Sequence, residues 1–183
     1  IVCPRNKYMN VWIVNNIDIA GSNAAAYTYI PQNFPPPVQD GIVCRYQFLG
    51  TNEHTMTHEA GHWFGLRHTW GDGNNPGIST NCNMDDEVND TPNCIGNSGG
   101  CNLSYQSCGS LDNVQNYMNY SSCGALNFTQ GQSDLMRGIL ESSLLQRNNL
   151  WSPGNLIATG VMEEPTLCVA DFYIEQEGGC AGS

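Results

Sequence analysis

Cationic side chains are scarce in this sequence. Its 183 residues include six lysines and arginines against 17 aspartates and glutamates, which gives a formal net charge of −11. Nucleic acids and anionic membrane surfaces both attract proteins through clustered Lys and Arg. The composition therefore argues against a nucleic-acid-binding protein and against a protein that binds acidic lipid surfaces.

Long apolar runs are absent as well. No stretch approaches the roughly 20 apolar residues that a membrane-spanning helix needs. The sequence begins at Ile1 and shows no charged-then-apolar leader of the kind that directs secretion. We expect that such a leader has been removed, or that the chain is a piece of a longer protein.

The cysteine pattern favours disulfide bonds. Nine cysteines are many for a cytosolic protein, yet no Cys-x-x-Cys pair occurs, which argues against a zinc ribbon or a thioredoxin-like site. Disulfides form in oxidising compartments, so this pattern predicts a secreted, extracellular protein. Because the count is odd, at least one thiol is free or has a partner outside this chain.

Hydrophobic periodicity predicts a mixed α+β fold. A helix is predicted over residues 52–64, capped by Thr51 or Asn52 and ended by Gly65. A capping box at Thr129 begins a second, amphipathic helix that is expected to reach Leu145. Strands with β-branched and aromatic residues are predicted at 9–14, 24–30 and 40–49. Residues 70–125 show little periodicity and contain five cysteines, so cross-links or ions must stabilise this long loop.

The segment from His58 to His68 carries metal-binding chemistry. On a helix, His58 and His62 lie four residues apart and leave the same face, where both can bind one zinc ion. Gly65 permits a sharp turn, after which His68 can return to the same ion. Three imidazoles leave the fourth zinc position open, which is typical of a catalytic site.

Glu59 lies next to the first predicted ligand, within reach of a water at the open position. Zinc lowers the pKa of bound water to about 7, and Glu59 would act as the general base that passes the proton to the leaving amine. The fourth histidine, His54, lies one turn before His58. It is either a neighbour of the ligands or, as we favour, a surface residue at the helix start.

This histidine pattern resembles the zinc-binding signature of the metzincin peptidases. Metzincins also have a methionine-containing turn beneath the metal, and the stretch Asn116–Tyr120 is similar to it. The resemblance implies that Met118 is an apolar platform under the ligands, with an ordinary core methionine as the alternative. It also implies that Tyr120 donates a hydrogen bond to the reacting carbonyl.

Within the metzincins, five stretches resemble the pappalysin family (cytophagalysin-type, M43), and together the match covers about residues 5–147. They are Tyr8–Val14, Asp40–Val43, His58–Trp70, Asp85–Pro92 and Asn116–Tyr120. The resemblance implies a metzincin-like zincin fold: a small twisted sheet and the active-site helix above, and an irregular, disulfide-rich lower subdomain with a C-terminal helix.

The family resemblance also assigns cross-links and a second ion. By position it pairs Cys82 with Cys108 and Cys101 with Cys123, and leaves Cys3, Cys44, Cys94, Cys168 and Cys180 without assigned partners. It further implies a calcium ion, for which the candidate ligands are Asp85, Asp86, Asp90 and Thr91. Calcium prefers six to eight hard oxygens, but a solvated acidic loop is the simpler alternative.

The substrate is expected to bind along an edge strand. In metzincins such a strand pairs antiparallel with the peptide, and the best match here comprises Ala25, Ala26, Tyr27 and Thr28. The pocket after the scissile bond would be walled by residues that follow Met118. Because no acidic residue occurs from Asn119 to Ser133, we expect a tolerant or apolar-preferring pocket.

The chain is expected to divide at about residue 152. Residues 1–152 would form the catalytic domain, with an N-terminal portion lying outside this chain, and residues 153–167 would form a linker. Residues 168–183 resemble the opening of a PKD-type β-sandwich, beginning with a strand over 168–174.

The leading functional hypothesis is a secreted, monomeric zinc endopeptidase that acts on proteins or peptides. A zinc-containing adhesion or binding module that no longer cleaves is the alternative from another class. A third hypothesis is an inactive fragment of such a peptidase.

Overall fold

A computed structural model describes residues 1–18, 23–50, 53–125 and 127–163. The helices and strands are β1 (Asn10–Val14), β2 (Ala26–Thr28), β3 (Gly41–Arg45), α1 (Thr55–Trp63), β4 (Gln106–Ser107), β5 (Ser110–Leu111), α2 (Gln130–Glu141) and α3 (Pro153–Ala158). None of these helices has the length and apolar character of a membrane span.

Three strands form the main sheet, in the order β1-β3-β2. The central strand β3 runs parallel to β1 and antiparallel to β2. All three are shorter than predicted, and β3 stops at Arg45 because its partner β1 ends opposite it, at Val14. Beyond that point the chain turns into a 3₁₀ segment, Tyr46–Phe48, instead of continuing as a strand to residue 49.

Helix α1 packs on this sheet through Trp63, which forms a buried cluster with Ile42 and Cys44 of β3. The helix begins at Thr55 with His54 at the N-cap, so its start lies later than the predicted caps at residues 51–52, which are outside the described residues. Gly65 has a φ of +94° and turns the chain out of the helix, as predicted.

A buried ion pair joins the sheet to the C-terminal segment. Asp40 precedes β3 and accepts hydrogen bonds from Arg147 at 2.6 and 3.0 Å and from the Trp63 indole at 2.9 Å. The Arg147 guanidinium lies 3.7 Å from the centre of a Trp63 ring. Both charged side chains are fully buried, so each depends on the other for its compensation.

The long loop after the first helix is cross-linked. One disulfide joins Cys82 to Cys108, and a second joins Cys101 to Cys123. These are the pairs that the family resemblance implies. Among the described cysteines, Cys94 and Cys44 are free and buried, whereas Cys3 is free and exposed. The short β4–β5 hairpin lies within this loop, and Cys108 is in its turn.

We predict that the Cys82–Cys108 bond contributes about 3–4 kcal/mol to stability. It closes a loop with a sequence separation of 26, and the loss of chain entropy in the unfolded state grows with that length. Urea unfolding of the Cys82→Ser, Cys108→Ser double variant, beside the wild type without reductant, measures the difference. A loss below about 1 kcal/mol would contradict the prediction.

Helix α2 begins with the predicted capping box. Thr129 accepts a hydrogen bond from the backbone N–H of Gln132, and the Gln132 side chain accepts one from the N–H of Thr129. The helix ends at Glu141, so the expectation that it reaches Leu145 is wrong in its last turn. Leu145 and Gln146 have positive φ values of 50° and 61°, which no α-helix accommodates.

The chain after residue 152 differs from the expected linker in its first part. Pro153–Ala158 form a short helix, α3, whose N-cap is Ser152. Asn155 is buried and donates hydrogen bonds to the carbonyls of Lys7 and Leu150. The remainder of that linker, residues 164–167, and the PKD-like segment with its predicted strand lie outside the described residues.

Candidate functional site

Three histidine side chains converge at the end of helix α1. His58 and His62 leave one face of the helix, and the turn at Gly65 brings His68 back toward them. Their candidate ligand nitrogens lie within 4.8 Å of one another. In the described part of the chain, this is the only group of three or more His, Cys, Asp or Glu residues with such spacing.

Backbone carbonyls orient the three rings. Nδ1 of His58 lies 2.6 Å from the carbonyl oxygen of Tyr117. Nδ1 of His62 lies 2.7 Å from the oxygen of Leu66, and Nδ1 of His68 lies 3.1 Å from the oxygen of Gly73. Because a carbonyl only accepts, each Nδ1 carries the proton and each Nε2 presents a lone pair. No sequence pattern indicates these three carbonyls, since any residue type can supply one.

The Nε2 atoms have the chemistry of a zinc site. Those of His62 and His68 lie 3.2 Å apart, and that of His58 is buried without a hydrogen-bond partner. Two lone pairs that face each other at this distance repel, unless a cation lies between them. Three neutral imidazoles form a common ligand set of catalytic zinc, so the residues present fit this metal.

Burial keeps the imidazoles in the form that binds metal. Desolvation, followed by the effect of neighbouring histidines, lowers the pKa of His58 to about 3 and that of His68 to about 2. Burial lowers the pKa of His62 as well. At neutral pH the three rings are therefore neutral, which is the state that donates a lone pair to a metal.

Glu59 and Tyr120 lie beside the histidines. Glu59 is 7% exposed, its Oε2 has no hydrogen-bond partner, and burial raises its pKa to about 8. The Tyr120 hydroxyl lies 2.9 Å from Nε2 of His68. Desolvation and the charge of Glu59 raise the pKa of Tyr120 to about 12, so the phenol stays protonated and can donate a hydrogen bond.

Met118 is fully buried against helix α1, on the turn that precedes Tyr120. A Cβ atom on Gly61 would lie 2.5 Å from its sulfur, so any larger residue between the first two histidines would displace the Met118 side chain. The Asn116 side chain accepts a hydrogen bond from the Met118 N–H and fixes the turn.

His54 is exposed and its ring contacts Tyr117, whose carbonyl binds His58.

A cleft runs along β2 on both sides of the histidines. In the described residues β2 pairs only with β3, so its other edge is free, and Ala25 accepts a hydrogen bond from Arg45 just before the strand. One depression of about 490 Å³ is lined by residues 27–30, Arg67 and Asp72. The other, of about 700 Å³, is lined by residues 24–26, 53–55, 119–122, Gly124 and Ala125.

The second depression contains a residue that the sequence analysis missed. Glu53 precedes helix α1 and contributes to the lining opposite the segment that follows Met118. A pocket without carboxylates was predicted from the segment after Met118 alone, which contains no acidic residue up to Ser133. Alternation and motif spacing give no signal for Glu53, because its place depends on how the helix start faces the methionine turn.

The acidic loop contains two unpartnered buried oxygens, Oδ2 of Asp86 and Oγ1 of Thr91. Burial raises the pKa of Asp86 to about 6, and Asp85 accepts a hydrogen bond from the Glu87 N–H. Asp90, the third carboxylate predicted to bind the ion, also makes contacts outside this loop. Its two oxygens accept hydrogen bonds from the Thr129 hydroxyl and the Gly131 N–H at the start of α2, which lower its pKa.

Comparisons with curated proteins find extracellular metalloproteases. An extracellular metalloprotease of Neurospora crassa is 36% identical in an alignment of length 146 that covers 71% of this chain and 47% of that protein. One of Coccidioides posadasii is 35% identical in an alignment of length 143 that covers 70% of this chain and 48% of that protein. The chain spans about a third to a half of the length of the first curated relatives it matches.

Among solved structures, mature mirolysin of Tannerella forsythia in complex with a cleaved peptide superposes with a TM-score of 0.68 at 29% identity. The match covers 88% of this chain and 61% of the mirolysin chain. The predicted α+β, metzincin-like fold is confirmed. Residues 3–141 match the peptidase family M43, described as pregnancy-associated plasma protein-A, and the chain therefore belongs to this family of zinc metallopeptidases.

Proposed function

We propose that this chain is the catalytic domain of a secreted zinc endopeptidase that cleaves internal bonds of proteins and peptides. One observation carries the proposal: three histidine lone pairs converge beside Glu59, a buried carboxylate without a partner on one of its oxygens. The relatives named extracellular metalloproteases support secretion. A non-cleaving binding module needs neither Glu59 nor the Tyr120 hydroxyl beside the histidines.

The histidines would hold zinc, which when bound polarises a carbonyl and makes water a stronger nucleophile. Glu59 would take a proton from the attacking water and deliver it to the leaving amine. A cation beside Glu59 favours its carboxylate form, which offsets the effect of burial on its pKa. Tyr120, protonated at neutral pH, would donate a hydrogen bond to the oxyanion that develops on the carbonyl.

The free edge of β2 would bind the substrate backbone as an added antiparallel strand. Backbone hydrogen bonds place no requirement on side chains, so recognition along this edge is general. The two depressions on either side of the histidines would then receive substrate side chains from before and after the scissile bond.

Hydrolysis of unfolded casein by the purified monomeric chain, with zinc content measured in the same sample, tests the proposal. We expect about one zinc per chain and cleavage that stops with a chelator and returns with zinc. One bound zinc without cleavage would favour the binding module or the inactive fragment. A chain that binds no zinc would overturn the proposal.

Calcium is the second ion of the proposed cofactor set, beside zinc. The unpartnered oxygens of Asp86 and Thr91 are hard ligands, and the adjacent Asp85 would add to the side-chain contribution. Asp90 stays in the proposed set, because each of its oxygens accepts one hydrogen bond at the start of α2 and keeps a lone pair that could bind the ion.

We predict that calcium raises the melting temperature of the zinc-loaded chain. At a concentration 100 times the dissociation constant, binding adds about 2.7 kcal/mol, or about 5–10 °C for a domain of this size. The Asp86→Asn variant should lose the shift, whereas Asp134→Asn, an exposed change on α2, should keep it. An unchanged melting temperature in the wild type would contradict the calcium site.

The pocket after the scissile bond is proposed to be tolerant, with a small preference for basic side chains that comes from Glu53. This carboxylate is exposed, so its pairing with a substrate cation should change kcat/KM by less than about fivefold. Cleavage-site profiling with a peptide library measures the preference, and Glu53→Gln should remove it. A preference for Arg or Lys above about 50-fold would contradict a tolerant pocket.

A further inference from the structure

Trp70 lies two residues after the third histidine and contacts it with the whole face of its ring. The residue is fully buried, and its ring centroid lies 4.4 Å from that of His68 at an interplanar angle of 2°. Such parallel stacking restricts rotation of the imidazole out of its plane. Neither of the other two histidines makes a comparable stacked contact in the described residues.

The two rings also share one hydrogen-bond acceptor. The Trp70 indole N–H donates to the Gly73 carbonyl at 2.7 Å, and Nδ1 of His68 donates to the same oxygen at 3.1 Å. His58 and His62 have carbonyl acceptors at 2.6 and 2.7 Å, and neither is shared with an indole. The bond that orients the third histidine is therefore the longest of the three, and a second donor competes for it.

Trp70 further contacts Tyr120 and has little room to move. The Tyr120 ring meets it edge-on, with centroids 5.0 Å apart at 72°. A Cβ atom on Gly96 would lie 2.6 Å from the indole, and Gly96 has a φ of +79°, so the chain passes directly over the ring. One rigid indole thus contacts both His68 and Tyr120, whose hydroxyl lies next to His68.

We propose that Trp70 is a positioning residue of the metal centre. Stacking fixes the plane of His68, and the shared Gly73 carbonyl weakens the hydrogen bond that makes His68 a stronger donor to metal. His68 would therefore be the weakest-donating of the three ligands, held in place by packing rather than by its hydrogen bond. This inference rests on the proposed function only in requiring that the histidines bind zinc.

Two substitutions separate the two effects. Trp70→Phe keeps an aromatic ring against His68 but leaves the Gly73 carbonyl to His68 alone. Trp70→Leu removes both the stacking and the competing donor. The matched control is Trp63→Phe. Trp63 is equally buried, but its indole N–H donates a hydrogen bond to Asp40 and not to an acceptor shared with a histidine.

The measurements are the zinc dissociation constant, by competition with a chromophoric chelator, the visible absorption spectrum of the cobalt-substituted protein, and the melting temperature of the metal-free protein. We expect Trp70→Leu to weaken zinc binding about 10- to 100-fold. Trp70→Phe should bind zinc as tightly as the wild type, within about threefold, or more tightly, and should shift the cobalt spectrum. Trp63→Phe should lower the melting temperature and leave the dissociation constant unchanged.

A purely structural role gives a different result. The dissociation constant would then follow the melting temperature in all three variants, Trp63→Phe included, and this outcome would overturn the proposal. If Trp70→Leu does not fold, the cobalt spectrum of Trp70→Phe decides, and an unshifted spectrum overturns it. A wild type that binds zinc and cleaves casein while Trp70→Leu keeps its affinity refutes this inference but not the proposed function.

Discussion

Replacing Glu59 with glutamine is expected to lower kcat/KM for peptide hydrolysis by about 10²- to 10⁴-fold, the usual contribution of a general acid–base. The amide has nearly the same shape as the carboxylate but cannot take a proton from water at neutral pH. Because Glu59 is not among the converging ligands, the variant should retain its zinc. Parallel assays of casein hydrolysis and zinc content measure both quantities.

The control for this variant is Glu141→Gln, which makes the same chemical change at an exposed position on the last turn of α2. It should leave both activity and zinc content unchanged. A Glu59→Gln variant with more than about a tenth of wild-type activity would rule out Glu59 as the general base. Loss of zinc together with activity would instead assign Glu59 a role in maintaining the metal site.

Replacing Asp40 with alanine is expected to destabilise the chain by about 3–5 kcal/mol, because it leaves the buried Arg147 charge without a partner. It also removes the acceptor of the Trp63 indole N–H, and an unsatisfied buried donor is itself costly. Urea unfolding followed by tryptophan fluorescence measures the loss. A change below about 1 kcal/mol would mean that the pair contributes no more than a surface ion pair.

A double variant tests the origin of this cost. Asp40→Leu combined with Arg147→Met replaces the pair by apolar side chains, and such replacements are often neutral or stabilising. We expect the double variant to be more stable than Asp40→Ala by at least about 1 kcal/mol. A double variant as unstable as the single one would show that packing around Trp63, and not the unpaired charge, dominates.

Local patterns in the sequence predicted the parts of the site that lie close together along the chain. The i, i+4 spacing of His58 and His62 and the glycine turn after them are short-range signals that depend on helix geometry. The capping box at Thr129 is another, and the structure has it as predicted. The methionine turn at Asn116–Tyr120 has no such local signal and was predicted only from the family resemblance.

Contacts between distant residues could not be predicted in this way. Asp40 and Arg147 lie 107 residues apart, and no periodicity connects them. The same holds for the hydrogen bond that Asp90 accepts from the start of α2, 41 residues later, which its own segment does not predict. The strands were predicted too long because local propensity does not show where a pairing partner ends. The second helix was predicted too long because apolar spacing does not show the positive φ values that Leu145 and Gln146 adopt after it.

The segment after α2 has a consequence for where a shortened version of this protein can end. Beyond residue 141, the last one in the family match, Asn149 and Asn155 donate hydrogen bonds to the carbonyls of Asn6 and Lys7, next to β1. A recombinant chain cut at residue 141 would also lack Arg147, the buried cation that pairs with Asp40 next to Trp63 of helix α1. We therefore expect the smallest unit that folds and keeps the three histidines in place to extend through α3, to at least residue 158.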